Sequence, residues 1–175
     1  MYALACRDGY QYSGPGPVYV TEIVPLASGL AAVASDQSLH LFHPLRLREG
    51  PSKRLRTDHG NVTAAKVYSF ADSVVATAGE NGTVSLWDLR LGPSAAHVLR
   101  LGEGGETSIV SLACSESTCA LAAGTELAHS QASVLLWDIR HASAPRVRYN
   151  EIHSDDVTEV GPPTHLLSRS WHPRY

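Results

Sequence analysis

Long apolar runs are missing from this 175-residue sequence, and none approaches the roughly 18 residues that a membrane-spanning helix requires. The chain also has little cysteine. Cys6, Cys114 and Cys119 are an odd number without a C-x-x-C pair, which argues against a disulfide framework or a zinc site and for reduced thiols. An excess of positive charge is absent as well, since 14 Lys and Arg against 17 Asp and Glu leave a net charge of −3. A globally basic nucleic-acid binder is thereby excluded. The opening MYALACRDGYQY lacks a basic stretch and is interrupted by Arg7 and Asp8, unlike a secretory signal, so an address in the cytoplasm or nucleus is expected. Catalytic signatures are missing too: there is no G-x-S-x-G, H-E-x-x-H, G-x-x-x-x-G-K-[ST] or G-x-G-x-x-G. The glycine-rich Leu101 to Thr107 has no lysine for a phosphate, and its Glu103 and Glu106 would repel one. No catalytic residue, cofactor site or metal site is assigned.

What is present is punctuation and repetition. Fourteen glycines and ten prolines are scattered along the chain, as frequent turns require, while 43% hydrophobic residues suffice for a core. Three segments align with one another: Gly29 to Pro44, Ser73 to Arg90, and Thr118 to Arg140. Their ends bring Phe42, Trp87 and Trp137 into register, 45 and 50 residues apart, with an insertion at Glu126 to Gln131 read as a loop tip. Each unit contains a small-residue apolar strand, a turn and a second strand. In the second unit these are Val74 to Ala78, Glu80-Asn81-Gly82 and Val84 to Trp87, and Asn-Gly is a strong hairpin signal because both residues tolerate positive φ. Further strands are expected upstream, at Val18 to Val24, Thr63 to Tyr68 and Ile109 to Ala113. Others are expected downstream, at Lys53 to Arg56, His97 to Leu101 and Arg146 to Tyr149. Each unit thus supplies four short antiparallel strands. Segments such as Val134 to Trp137 and Val74 to Ala78 are apolar or small on both faces, so the sheets should be covered on both sides. A β-sandwich also uses short strands, yet it does not need a period near 45 residues.

Trp87-Asp88-Leu89-Arg90 and Trp137-Asp138-Ile139-Arg140, each closing a hairpin one repeat apart, resemble the WD dipeptides of WD-repeat β-propellers, whose repeats run roughly 40 to 45 residues. The resemblance implies an all-β, partial and open propeller of about three four-stranded blades plus the start of a fourth. It divides the chain into a tail over 1–17, repeats over 18–58, 59–105 and 106–152, a fourth repeat opening at His153 and fading after Val160, and an atypical tail over 161–175. Pro162 and Pro163 in that tail would end strand pairing. It further implies a buried tetrad in the second repeat, made of His59, Thr77, Asn81 and Trp87, in which Asn81 replaces an acid and accepts a weaker hydrogen bond from His59. The first repeat has Asp36 but Phe42 and Ala32 at the tetrad's aromatic and hydroxyl positions. The third has Trp137 without an upstream histidine, so both are expected to rely on packing. Three blades cannot close a ring that takes about four to eight. Each terminal blade should then expose an apolar face, so the chain is expected to be a truncated or misassembled product of a longer propeller, or to complete itself by association.

Arg46, Arg48, Lys53, Arg54 and Arg56 cluster in one short stretch that joins the first two repeats. They are expected on the rim, as a charged edge that discourages aggregation or as a contact for RNA or an acidic protein. No aromatic residue is interleaved with them for base stacking, which weakens the RNA alternative. Histidine pairs offer no metal site: His40 and His43 are three apart on a strand and point to opposite faces. His153, near Asp155 and Asp156, is explained by the repeat pattern. The resemblance therefore implies a non-catalytic scaffold that binds protein partners through loops on its faces.

Overall fold

The computed structural model describes residues 9–12, 16–69, 74–92, 94–101, 107–128, 131–141, 143–153 and 155–161. Twelve β-strands lie in these residues, with short 3-10 turns at Leu47–Glu49 and Ile139–His141. The first sheet holds β1 (Val20–Leu26), β2 (Gly29–Ala34), β3 (Ser38–Phe42) and β4 (Lys53–Arg56). The second holds β5 (Val62–Ser69), β6 (Val74–Gly79), β7 (Thr83–Asp88) and β8 (His97–Arg100). The third holds β9 (Ile109–Ser115), β10 (Ala120–Thr125), β11 (Ala132–Asp138) and β12 (Val147–His153). In each sheet the strands run antiparallel in chain order. Each sheet is therefore a blade built from one sequence repeat.

Register makes the repeats equivalent at the level of single residues. Phe42 pairs with Leu30, Trp87 with Val75 and Trp137 with Leu121, so the three aromatic residues hold one position in successive blades. They are 7%, 4% and 0% exposed. The second strands GLAAVA, VVATAG and ALAAGT are rich in alanine because both of their faces are covered, and small side chains let neighbouring sheets approach. Alternation along each strand then sends successive residues to opposite neighbours. Val75 and Trp87 join Leu39, Leu55 and Val33 in a core between the first and second blades. Ala76, Ala78 and Leu86 join Leu121, Leu135 and Trp137 in a core between the second and third. Fully burying one such large side chain stabilises the fold by roughly 1.5–3 kcal/mol.

The terminal faces differ from the expectation that they would be open and apolar. On the first blade, Ala32, His40 and Phe42 are buried, and Tyr10 and Tyr12 lie against them with ring centroids 5.7 Å from Phe42 and 5.2 Å from His40 respectively. On the third, Ala113, Ala120, Ala122 and Leu136 are buried, with Val147 and Val160 packed against them. Val157 is also buried, and its N–H donates to the Thr125 carbonyl. Residues 155–161 thus dock on the third blade without forming a strand.

Candidate functional site

The second blade contains a connected line of buried polar groups. Trp87 Nε1–H donates to Thr77 Oγ1 at 2.8 Å, and Thr77 Oγ1 lies 2.9 Å from His59 Nε2. On the other side of the ring His59 Nδ1 is 2.8 Å from Thr83 Oγ1, which donates to Asn81 Oδ1 at 2.7 Å. Asn81 Nδ2 in turn donates to the Asp58 carbonyl at 2.5 Å. These contacts settle the proton positions. Thr83 gives its only hydrogen to Asn81, so it accepts from His59 Nδ1–H. The bare Nε2 then accepts from Thr77, whose oxygen still has a lone pair for Trp87. Every group is satisfied with a neutral imidazole, and burial holds the His59 pKa below its usual value against the opposing pull of Asn81 and Asp58. The Thr83 hydroxyl bridges His59 Nδ1 and Asn81 Oδ1. Gly79 gives the ring its room, since a Cβ there would lie 2.3 Å from the His59 Cβ.

The first blade solves the same problem with a different residue, which corrects the expectation that it relies on packing. Ala32 and His40 are paired across β2 and β3, where Thr77 and Ser85 face each other in the second blade. The missing hydroxyl leaves space for the His40 ring, which is fully buried. His40 Nε2 lies 2.6 Å from Ser38 Oγ and 3.0 Å from Asp36 Oδ2, and Nδ1 lies 2.9 Å from the Tyr12 hydroxyl. Ser38 donates to Asp36, so Nε2 carries the proton and Nδ1 accepts from Tyr12. Burial lowers the His40 pKa despite Asp36 and raises that of Tyr12. Histidine on a third strand, with tyrosine 28 residues upstream, is invisible to a motif that seeks histidine before the first strand. The third blade has no counterpart: Ala123, paired with Leu135, stands where Thr77 stands, and the buried Trp137 Nε1–H has no hydrogen-bond partner.

Asp88 and Asp138 each accept from the arginine two residues on, through its backbone N–H, Nε and Nη2. Arg90 holds the Asp88 pKa down to about 2, and Arg140 acts in the same direction on Asp138. His153 is the last residue of β12, its backbone paired with Ala132. The insertion at Glu126 to Gln131 extends the hairpin through a two-way pairing of Ala128 with Gln131, and Leu127 N–H donates to Asp156. The Cys114 thiol is pushed up to about 12 by burial. Cys119, like Cys114, is a free thiol, whereas Cys6 lies outside the described residues.

The five basic residues are divided. Lys53 reaches the second blade, where Nζ donates to the carbonyls of Leu91 at 2.6 Å and Leu89 at 3.3 Å. Arg46, beside the 3-10 turn that contains Arg48, pairs with Glu49 at 3.8 Å in solvent. Arg54 and Arg56 are exposed on β4. Concavities also mark the surface of the blades. One of ≈ 570 Å³ is lined by the inner strands β1, β5 and β9, with Glu22 paired to Lys66 at 2.7 Å on its wall. Another of ≈ 390 Å³ lies between the first two blades and includes Arg56, Ser85 and Arg100. Among the described residues no helix is long and apolar enough to cross a membrane, and no cluster of three or more His, Cys, Asp and Glu could hold a metal.

Three stacked four-stranded sheets with aromatic residues in register at the ends of their third strands define a partial, open array of WD-repeat propeller blades. No known protein-family profile matches the chain. Over 102 residues it is 31% identical to an uncharacterized WD repeat-containing protein of Schizosaccharomyces pombe, a stretch that covers 58% of this chain and 30% of that protein.

Proposed function

We propose that the chain is a non-catalytic protein–protein interaction scaffold of WD-repeat type whose blades are an arc of a larger propeller. The observation that carries this reading is the equivalence of the blades: one register repeated three times builds a rigid frame and leaves the connecting loops outside it. The relative supports it by name and by a length of which the matched stretch is 30%. The insertion before Trp137 and the following EIHSDDVTEV resemble, more narrowly, the WD repeat-containing protein 89 type.

Fold alone does not set function, so the test addresses binding. The chain is coupled to proximity labelling in cells and, as purified protein, to crosslinking with mass spectrometry. Protein partners that persist after ribonuclease treatment and crosslink to the loops are expected. Recovery of RNA instead, with binding that falls steeply between about 50 and 200 mM salt and disappears on changing Arg46, Arg54 and Arg56 to Glu, would replace the scaffold by the RNA-associated alternative.

A further inference from the structure

The cleft between the first and second blades has the composition of a built anion site. Arg56 and Arg100 hold equivalent positions, each following a buried leucine on an outer strand and paired with Ser38 and Thr83 respectively. Both are exposed and line the cleft, and among the described residues neither guanidinium has an ion-pair or hydrogen-bond partner. Deeper in, Ser85 is only 6% exposed and lines the cleft. It shares a strand face with Trp87, which packs in the core between the two blades, so the hydroxyl lies in the inter-blade cleft. Val98, 49% exposed, adds an apolar wall beside these donors.

We propose that this cleft binds an acidic side chain of an extended peptide, its oxyanion held by Arg56 and Arg100 and reached by the Ser85 hydroxyl. The inference rests on the scaffold reading and names the chemistry of the partner. Two unpaired arginines make the cleft locally positive on a chain of net charge −3, with Asp58 as the one acid in its lining. A volume of ≈ 390 Å³ suits one or two side chains. Trp87, at 4% exposure, offers no free face for stacking a base, which favours peptide over nucleic acid. Carboxylate and phosphate share the required chemistry, since arginine grips either through paired N–H donors.

Fluorescence anisotropy with the full chain tests this, using short labelled peptides of alternating Glu and Val, of phosphoserine and Val, and of Lys and Val, together with oligouridylate. Binding of at least one acidic peptide and none of the Lys peptide is expected. Their relative strength identifies the oxyanion. Arg56→Ala combined with Arg100→Ala should weaken that binding by about tenfold or more, and Ser85→Ala by less, whereas Arg46→Ala should leave it unchanged. The melting temperature of the double variant should match the parent, because neither arginine holds the fold together. Failure of both acidic peptides to bind, full retention in the double variant, or preferential oligouridylate binding abolished by the same changes would overturn the proposal. If the chain crosslinks to protein partners while the double variant still binds the peptides, only the cleft assignment fails. If no protein partner is recovered, the scaffold reading itself falls.

Discussion

Thr77 is the residue on which the polar line of the second blade turns, because one hydroxyl serves both Trp87 and His59. Thr77→Val keeps the shape and leaves two buried polar groups unmet, which should cost roughly 2–4 kcal/mol in urea unfolding. The converse change belongs in the third blade. Ala123→Thr would place an acceptor where the Trp137 indole has none, and a gain of about 1 kcal/mol is expected. Should Ala123→Thr instead destabilise, the equivalence of the two sites in available space would be refuted. Both buried histidines have folded pKa values below the usual 6.5, so the unfolded chain takes up their protons first as the pH falls. Stability is then full above about 6.5 and declines below it, toward the folded pKa values. Thermal melts between about pH 7.5 and 5 should show this loss, and His59→Gln, whatever its cost at neutral pH, should flatten the slope.

At the scale of elements, the hairpins between second and third strands of the first two blades repeat one backbone geometry with different residues. Gly82 has φ 68° and Gln37, at the corresponding turn position, has φ 62°. Gly82→Ala would meet that left-handed conformation with a Cβ 2.8 Å from both the Leu101 side chain and the Thr107 carbonyl. A loss of roughly 1–3 kcal/mol in chemical denaturation is expected. Gln37→Gly should gain as much as about 1 kcal/mol, because it relieves the strain and returns part of that gain as unfolded-state entropy. Strand boundaries were largely legible beforehand. Lys53 to Arg56 is β4 as read from the residues, and β5 and β7 each extend one residue beyond both expected ends. What the residues did not disclose was β12 running on to His153, where backbone pairing with Ala132 continues across a register irregularity. Pairing partners decide where a strand stops, and those partners lie far along the chain.

For the whole molecule, the blades form a stack in which the second has neighbours on both faces. Thr63 donates to the Ile109 carbonyl and Ser111 donates to the Val157 carbonyl, so one inner-strand hydrogen bond recurs from the second blade to the third and from the third to residues 155–161. Stability in such an array is approximately a sum of blade and interface contributions. Hydrogen exchange should therefore show the slowest amides in β5 to β7 and faster ones in β4 and β12, each with one free edge. Uniform protection across all three sheets would indicate a single cooperative unit instead.

The amino-acid sequence by itself determined the number of blades, their strand order and the register of Phe42, Trp87 and Trp137, because periodic alternation and turn chemistry are local properties. Tertiary structure alone decided how buried polar atoms were satisfied. His40 replaces an absent hydroxyl by drawing on Tyr12, Thr83 bridges His59 and Asn81, and Lys53 leaves the basic cluster to bind carbonyls of the next blade. Such contacts join residues 24 to 38 apart in the chain or turn on a few tenths of an ångström. Their partners are set by the packing of complete sheets, which no local pattern encodes.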